Sequence, residues 1–226
     1  MNKTGQRKKE LRERENYTFG DLCEIVKLLR SPEGCPWDRE QTHESIRKNF
    51  IEETYEVAEA IDDCDSVHLC EELGDVMLQI LLHAEMESEK NNFDINGVIN
   101  GISKKLVSRH PHVFGETVAD NSSQVKANWD EIKRKEKGQK SIKEELEGIS
   151  RTLPALMRAQ KIVKKAKRAG VKLCEKDDSF ASLDVEEMTH VLLGLCAAAN
   201  EKSIDLEEIL EQKCTLLVKN AKNYEK

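Results

Sequence analysis

Residues that break helices are scarce in this sequence. Its 226 residues include only 4 prolines and 11 glycines, and aromatic residues make up 4%. A sandwich or barrel with many loops requires more turn residues, and no stretch alternates convincingly between apolar and polar positions. The composition therefore predicts an all-α protein.

Long apolar runs are missing as well. No stretch approaches the ~18 apolar residues that a membrane span requires, and residues 1–16 are charged, unlike a signal peptide. The seven cysteines are scattered and never spaced Cys-x-x-Cys, which is typical of reduced thiols. We therefore expect a cytoplasmic protein with no membrane partner.

Basic residues are not in excess. There are 36 lysines and arginines against 43 acidic residues, which gives a net charge of −7. Because binding to the phosphate backbone of a nucleic acid requires a basic surface, we expect no polymeric nucleic acid as a partner. A single polyphosphate can still bind where a metal ion bridges it to acidic side chains.

Apolar residues at helical spacing predict the N-terminal helices. A capping-box pattern at Thr18 and Asp21 predicts a short helix, which the prolines and glycine of residues 31–36 end. A second helix is predicted after Trp37-Asp38, to about residue 63, and a third runs from a cap at Ser66 to about residue 90. The second helix has a predicted buried stripe, formed by Ile51, Tyr55, Ala58 and Ile61.

Further helices are predicted over residues 96–108, 123–135 and 153–169. A loop at 109–120 and a charged linker at 138–150 separate them. The helix over 96–108 is expected to direct three apolar side chains inward, those of Val98, Ile102 and Leu106.

A degenerate helical repeat is predicted at the C-terminus, in two helices capped by Asp184 and Asp205. Residues 186–193 resemble residues 71–78, and apolar positions further along fall in step. These positions are Val98, Ile102 and Leu106 in the first copy, and Leu210, Cys214 and Val218 in the second. The predicted organisation is a charged tail (1–17), a helical domain (18–137), a linker with a basic helix (138–183) and the second unit (184–226).

Two groups of acidic residues have helical spacing. Glu53 and Glu56 are three residues apart, as are Glu72 and Asp75, so each pair lies on one face of its helix. In a chain with 43 acidic residues, the first group is also typical of a solvated surface. The second group lies in an apolar helix, where buried carboxylates need a partner charge or a metal ion.

Four clustered carboxylates without nearby cysteines favour a hard ion such as Mg²⁺. An open magnesium site suits phosphates and metal-assisted attack by water. Two further pairs of residues are four positions apart, which places each pair on one face of a helix: Lys105 with Arg109, and Trp129 with Lys133. They predict phosphate contacts, although such residues are equally typical of ordinary surface charge, and a tryptophan is commonly a core anchor.

Several motifs together resemble the MazG family, within the all-α nucleoside triphosphate pyrophosphohydrolase superfamily. The resemblance covers about residues 18–170. It rests on the order of the motifs along the chain as well as on the residues within each motif. The motifs are Gly34-Cys35-Pro36-Trp37-Asp38, Glu52-Glu53-Thr54-Tyr55-Glu56, Glu72-Leu73-Gly74-Asp75, Arg109-His110-Pro111-His112-Val113-Phe114 and Leu153-Pro154-Ala155-Leu156-Met157-Arg158.

This resemblance implies hydrolysis of nucleoside triphosphates to a nucleoside monophosphate and pyrophosphate, with 18–137 as the catalytic domain. It implies Mg²⁺, with Mn²⁺ as a substitute, and a homodimer of helical bundles. The implied metal ligands are Glu53, Glu56, Glu72 and Asp75, while Glu52 would help to bind the metal or position the attacking water. The implied substrate contacts are Lys105, Arg109, Trp129 and Lys133.

The second copy departs from the family pattern. His190 stands where the first copy has Asp75, and Leu217 and Ala221 stand where it has Lys105 and Arg109. We therefore expect the second copy to bind no metal. The alternative for the whole chain is a non-catalytic helical module, for dimerisation or nucleotide sensing, that has kept the fold.

Overall fold

The computed structural model describes residues 3–136, 138, 141–173 and 178–221, which form twelve α-helices and one short 3-10 helix, Asp178–Phe180. The described residues contain no strand, so the all-α prediction is confirmed. Among them, no helix has the length and apolarity needed to cross a membrane. The α-helices are α1 Lys3–Arg12, α2 Phe19–Arg30, α3 Pro36–Glu40, α4 Arg47–Asp62, α5 Ser66–Glu89, α6 Ile95–Arg109, α7 Pro111–Phe114, α8 Ser122–Glu136, α9 Ile142–Glu147, α10 Ala155–Arg168, α11 Val185–Glu201 and α12 Leu206–Lys219.

The chain divides into two compact units, Met1–Ser108 and Arg109–Lys226. The domain boundaries predicted from the sequence are different, because they lie after residues 17, 137 and 183. These domain limits stay a prediction. Residue 137, residues 139–140 of the predicted linker, Cys174 and residues 222–226 lie outside the described residues.

The first unit is built on α2, α4 and α5. Its core joins α2 and α5 through buried Val26, Ile46, Leu81, Leu82 and Met86. The predicted capping box of α2 is confirmed, since Thr18 N donates to Asp21 Oδ2 at 2.9 Å and Thr18 Oγ1 accepts from Asp21 N at 3.3 Å.

Residues 3–12 of the predicted tail form the helix α1. Leu11 is buried, and the Arg7 guanidinium contacts Glu24 at 2.6 Å and Asp21 at 3.3 Å. The two ion pairs of Arg7 therefore hold this charged segment against α2. Leu11 adds a buried apolar side chain to the same segment.

Two helix starts in the first unit differ from the prediction. The helix predicted after Trp37-Asp38 is broken between α3 and α4, because the side-chain hydroxyls of Thr42 and Ser45 accept from each other's backbone N–H groups, at 3.2 and 2.9 Å. The cap of α5 is Asp65 rather than Ser66, since its carboxylate accepts from the backbone N–H groups of Val67 and His68.

The predicted burial of three apolar stripes is wrong within this chain. Ile51, Tyr55 and Ile61 are 45%, 62% and 56% exposed. Val98, Ile102 and Leu106 on α6 are exposed too, and α5 exposes Leu73, Met77 and Ile80 although it was expected to be apolar and buried on all sides. The helical periodicity is present, but the described residues of the first unit leave these faces uncovered.

The second unit has its own core, formed by α9, α10 and α12. It consists of Ile142, Leu146, Ile149, Ile162, Ala166, Leu173, Cys214, Val218 and Ala221. The linker prediction is wrong for residues 142–147, which form α9, because Ser141 caps this helix and its apolar residues reach the core. The loop predicted over 109–120 contains one helical turn, α7.

The ends of the later helices agree with their sequence signals. Gly170 follows α10 with a φ of +70°, a conformation that favours glycine. Asp184 and Glu187 form the capping box of α11, and Asp205 caps α12. On α11 only Ala199 is buried. The helix has an exposed apolar face, formed by Val191, Leu192, Leu195 and Ala198.

Candidate metal and nucleotide site

Three carboxylates of the first unit meet between α4 and α5. Glu53 and Glu56 are one turn apart on α4, and Glu72 projects from α5. One oxygen of each lies within 4.8 Å of the other two. The structure therefore brings together three of the four predicted metal ligands.

Mutual repulsion and burial act on these carboxylates. The pKa of Glu53 is raised by burial first, and then by the charges of Asp75, Glu56 and Glu72. The pKa of Glu72 is raised by burial and by the charges of Glu56 and Asp75. Asp75 is therefore close enough to influence both groups, although it lies outside the three-oxygen cluster.

Divalent cations fit this donor set. Carboxylate oxygens are the ligands that Mg²⁺ and Mn²⁺ prefer, and the described residues around the cluster provide no thiolate. Within the described first unit, no lysine or arginine forms an ion pair with Glu53, Glu56, Glu72 or Asp75. A cation bound by Glu53, Glu56 and Glu72 would relieve the repulsion that raises their pKa values.

Among the described residues, His68 is the nitrogen base that contacts the cluster. Its Nε2 atom lies 3.1 Å from Oε1 of Glu72, one turn along α5. When protonated, the imidazole lowers the pKa of Glu72 and opposes the effect of the acids. Sequence reasoning missed this residue, although its spacing of four from Glu72 was a usable signal.

Glu52 lies on another part of α4. It is exposed and lines a cavity of about 510 Å³ together with Lys48, Tyr55 and Glu56. Glu56 therefore takes part in both the cavity and the carboxylate cluster. This arrangement is compatible with a role for Glu52 beside the cluster, and that role stays a prediction.

Arg109 and Trp129 meet in the second unit. The guanidinium carbon of Arg109 lies 5.4 Å from the centre of the Trp129 ring. The rings of Trp129 and His110 form a T-shaped pair with their centres 4.8 Å apart. The Nε and Nη2 groups of Arg109 both donate to Oε2 of Glu136, at 2.9 and 2.6 Å. Arg109 is buried, whereas the Glu136 side chain is 30% exposed, so only the arginine side of this ion pair is shielded from water.

Lys105 and Lys133 are exposed on α6 and α8. Neither has an ion pair within the described residues of its own unit. The structure joins Arg109 to Trp129, and the substrate roles of all four residues stay predictions. Glu136 is a further residue that the sequence did not point to, because its partner is 27 positions away.

In the second copy, Glu187 serves the capping box of α11. Its carboxylate accepts from the backbone N–H of Asp184 at 2.9 Å. His190 is exposed, and Ala221 is buried in the core. The described residues of this unit contain no group of three acidic, histidine or cysteine side chains spaced to hold a metal ion.

Comparison with known proteins places these features in a family. The model of the MazG nucleotide pyrophosphohydrolase domain matches residues 41–114, which contain the three clustered carboxylates. A protein named nucleoside triphosphate pyrophosphohydrolase from Escherichia coli strain K12 is 49% identical over 150 residues, which are 66% of this chain and 57% of that protein. A protein named nucleoside triphosphate pyrophosphohydrolase/pyrophosphatase MazG from Thermotoga maritima is 40% identical over 168 residues, 74% of this chain and 64% of that one.

The chain thus spans less than two thirds of the length of either relative. Among solved structures, a mazG-related protein from Thermotoga maritima is 30% identical and has a TM-score of 0.44. That match covers 51% of this chain and 98% of the other.

Proposed function

This chain belongs to the MazG family, and we propose that it hydrolyses nucleoside triphosphates to a nucleoside monophosphate and pyrophosphate. The observation that carries the proposal is the carboxylate cluster of Glu53, Glu56 and Glu72, which lies inside the segment that the family model matches. The names of the E. coli and T. maritima relatives support the same reaction.

In the proposed reaction, the oxygen of water adds to the α-phosphorus and the bond from this phosphorus to the bridging oxygen breaks. The two outer phosphates leave as pyrophosphate. Glu53, Glu56 and Glu72 would hold Mg²⁺, with Asp75 as a further ligand. When bound, Mg²⁺ polarises phosphate oxygens and makes water a better nucleophile.

Other residues of the chain would bind the substrate and handle the proton. Glu52, exposed beside Glu56, would accept the proton of the attacking water. Lys105, Arg109 and Lys133 would offset the charge of the triphosphate, and Trp129 would offer an aromatic face to the base.

Cytoplasmic location stays a prediction from the cysteine pattern.

We also propose that the working form is a homodimer. The helices α4, α5 and α6 each expose several apolar residues, which is more apolar surface than single scattered residues would form. A second copy of the chain has the same apolar faces, so two copies can cover these faces by packing against each other. Light scattering should therefore give twice the chain mass, and Ile102→Glu on α6 should give the monomer mass. Val118→Glu, at an exposed valine outside these helices, is the control.

Product analysis tests the reaction. The full chain is incubated with a panel of ribo- and deoxyribonucleoside triphosphates and Mg²⁺, and the products are separated by anion exchange. Monophosphate with pyrophosphate is expected, and Glu72→Gln should abolish it while the neighbouring Glu71→Gln does not. Diphosphate with phosphate, or no hydrolysis of any nucleotide, would favour another function, such as the non-catalytic module.

A further inference from the structure

The contact between Arg109 and Glu136 engages only one edge of the guanidinium. Glu136 Oε2 accepts from both Nε and Nη2, at 2.9 and 2.6 Å. A guanidinium carries five N–H groups in a rigid fork, so this carboxylate uses two of them. Nη1 makes no bond to Glu136. The N–H groups of Nη1 and the second N–H of Nη2 form the other edge of the guanidinium, which also suits bidentate binding of a phosphate.

Three groups together determine the orientation of Arg109. Its backbone belongs to the last residue of α6, its guanidinium carbon lies over the Trp129 ring at 5.4 Å from the ring centre, and its Nε–Nη2 edge is bonded to Glu136. The arginine side chain is 11% exposed. A buried guanidinium that has an aromatic ring beside it and one edge bonded has little rotational freedom, so the remaining edge has a defined direction.

Glu136 lies at the C-terminal end of α8, the helix that also carries Trp129 and Lys133. The Glu136 side chain is 30% exposed, so it can form the ion pair without being fully removed from water. One helix therefore supplies the aromatic ring beside the guanidinium and the carboxylate that bonds it.

We propose that Glu136 is a positioning residue, which holds the Arg109 guanidinium beside Trp129 so that its Nη1–Nη2 edge binds the phosphates of the nucleotide. This inference rests on the proposed function, because it assumes that Arg109 contacts the substrate. Glu136 itself touches neither the phosphates nor the metal in this scheme. Its effect on the reaction passes through Arg109.

A double-mutant cycle tests the proposal. In the full chain, Glu136→Gln should lower kcat/KM by about 10-fold to 10²-fold, the scale of a misplaced substrate contact. In the Arg109→Ala background the same change should have almost no effect, because the residue through which Glu136 acts is gone. Glu131→Gln on the same helix is the matched control, since it removes an exposed acid whose ion pair is with Lys135 rather than with Arg109.

A second readout does not depend on activity. The chain has only two tryptophans, so a Trp37→Phe background isolates the fluorescence of Trp129. Glu136→Gln should shift this emission in the nucleotide-free protein and weaken the quenching produced by added ATP. Glu131→Gln should leave both unchanged.

The outcomes separate the two proposals. If the parental chain hydrolyses no nucleotide, the proposed function is wrong, and the Trp129 emission still reports whether Glu136 holds Arg109. If the parental chain is active but Glu136→Gln costs as much in the Arg109→Ala background as in the parental one, Glu136 is only structural. A rise in kcat/KM for Glu136→Gln would also overturn the proposal, because Glu136 would then compete with phosphate for Arg109.

Discussion

The imidazole of His43 is hydrogen-bonded to that of His83, with their Nδ1 atoms 2.7 Å apart and their rings stacked at 5.0 Å. The other nitrogen of His43 contacts Glu87 Oε1 at 2.7 Å. This chain of contacts joins the segment between α3 and α4 to the buried part of α5. One proton between the two Nδ1 atoms forms the bond, whereas two protons would repel each other.

Stability should fall in acid because of this pair. Burial and the charge of His43 lower the pKa of His83, so the unfolded state takes up a proton first as the pH falls below about 6.5. The loss should level off below the folded pKa. Urea unfolding followed by circular dichroism at about pH 5 and about pH 8 measures the difference, and His83→Gln should reduce it while His190→Gln should not. If the free energy of unfolding changes between pH 5 and pH 8 as much in His83→Gln as in the parental protein, other groups cause the acid sensitivity.

Without metal, the carboxylate cluster should be a source of instability at neutral pH. The raised pKa values of Glu53 and Glu72 mean that their contribution is most favourable below about pH 4.5 and is lost as the pH rises through the folded values. Glu72→Gln should therefore raise the thermal midpoint of the metal-free protein while abolishing hydrolysis. Asp75→Asn is expected to behave similarly. Parental hydrolysis by Asp75→Asn would remove Asp75 from the metal ligands.

Replacing Arg109 should impair the reaction even when the charge is kept. Arg109→Ala should lower kcat/KM by about 10²-fold, the scale of losing one charge-stabilising donor. Arg109→Lys should also lose activity, because an ammonium cannot bond Glu136 through two N–H groups while it presents a second edge. Steady-state kinetics measures both. For the other predicted base, Lys105→Ala is compared with the adjacent Lys104→Ala, and equal kinetics of these two would leave Lys105 as surface charge.

The second copy should matter for stability and not for chemistry. Glu187→Gln should leave kcat/KM unchanged, because Glu187 bonds the backbone of Asp184 and glutamine can accept the same bond. Deleting residues 184–226 should lower stability, since it removes Cys214 and Val218 from the core that they share with α10. Kinetics on the first variant and thermal unfolding of the second check these outcomes. Lost activity in a folded Glu187→Gln would show that this half takes part in catalysis.

Arg158 should make the second unit sensitive to the loss of one carboxylate. Its side chain is 2% exposed, and its Nη1 group bonds Glu211 Oε1 at 2.6 Å and Thr215 Oγ1 at 2.8 Å. Glu211→Ala would leave a buried charge without its counterion and should lower the free energy of unfolding by about 3 kcal/mol. Arg158→Met fills the site with an apolar side chain and should cost less. Urea titrations compare the two variants, and the opposite order would contradict the explanation.

Most helices and the acidic motif could be predicted because their signals are local. The capping boxes of Thr18 with Asp21 and of Asp184 with Glu187 involve neighbours in sequence, because backbone N–H groups at a helix start lack acceptors within the helix and donate to nearby side chains. Likewise, spacing alone places Glu53 and Glu56 on one face of α4. Errors occurred where a local bond displaced the expected one, as at Thr42 and Ser45, or where burial was inferred from periodicity.

Only the tertiary structure decided which distant groups meet. It joins Glu72 to the α4 carboxylates and leaves Asp75 just outside them, and it pairs Arg109 with Glu136 and His43 with His83 across 27 and 40 positions. Such contacts depend on how the helices pack against each other. The same residue types at the same spacing along a helix are compatible with many different arrangements of the neighbouring helices. The sequence by itself therefore determined the helices and the type of ligand atoms, while packing determined the distances and charges that act on them.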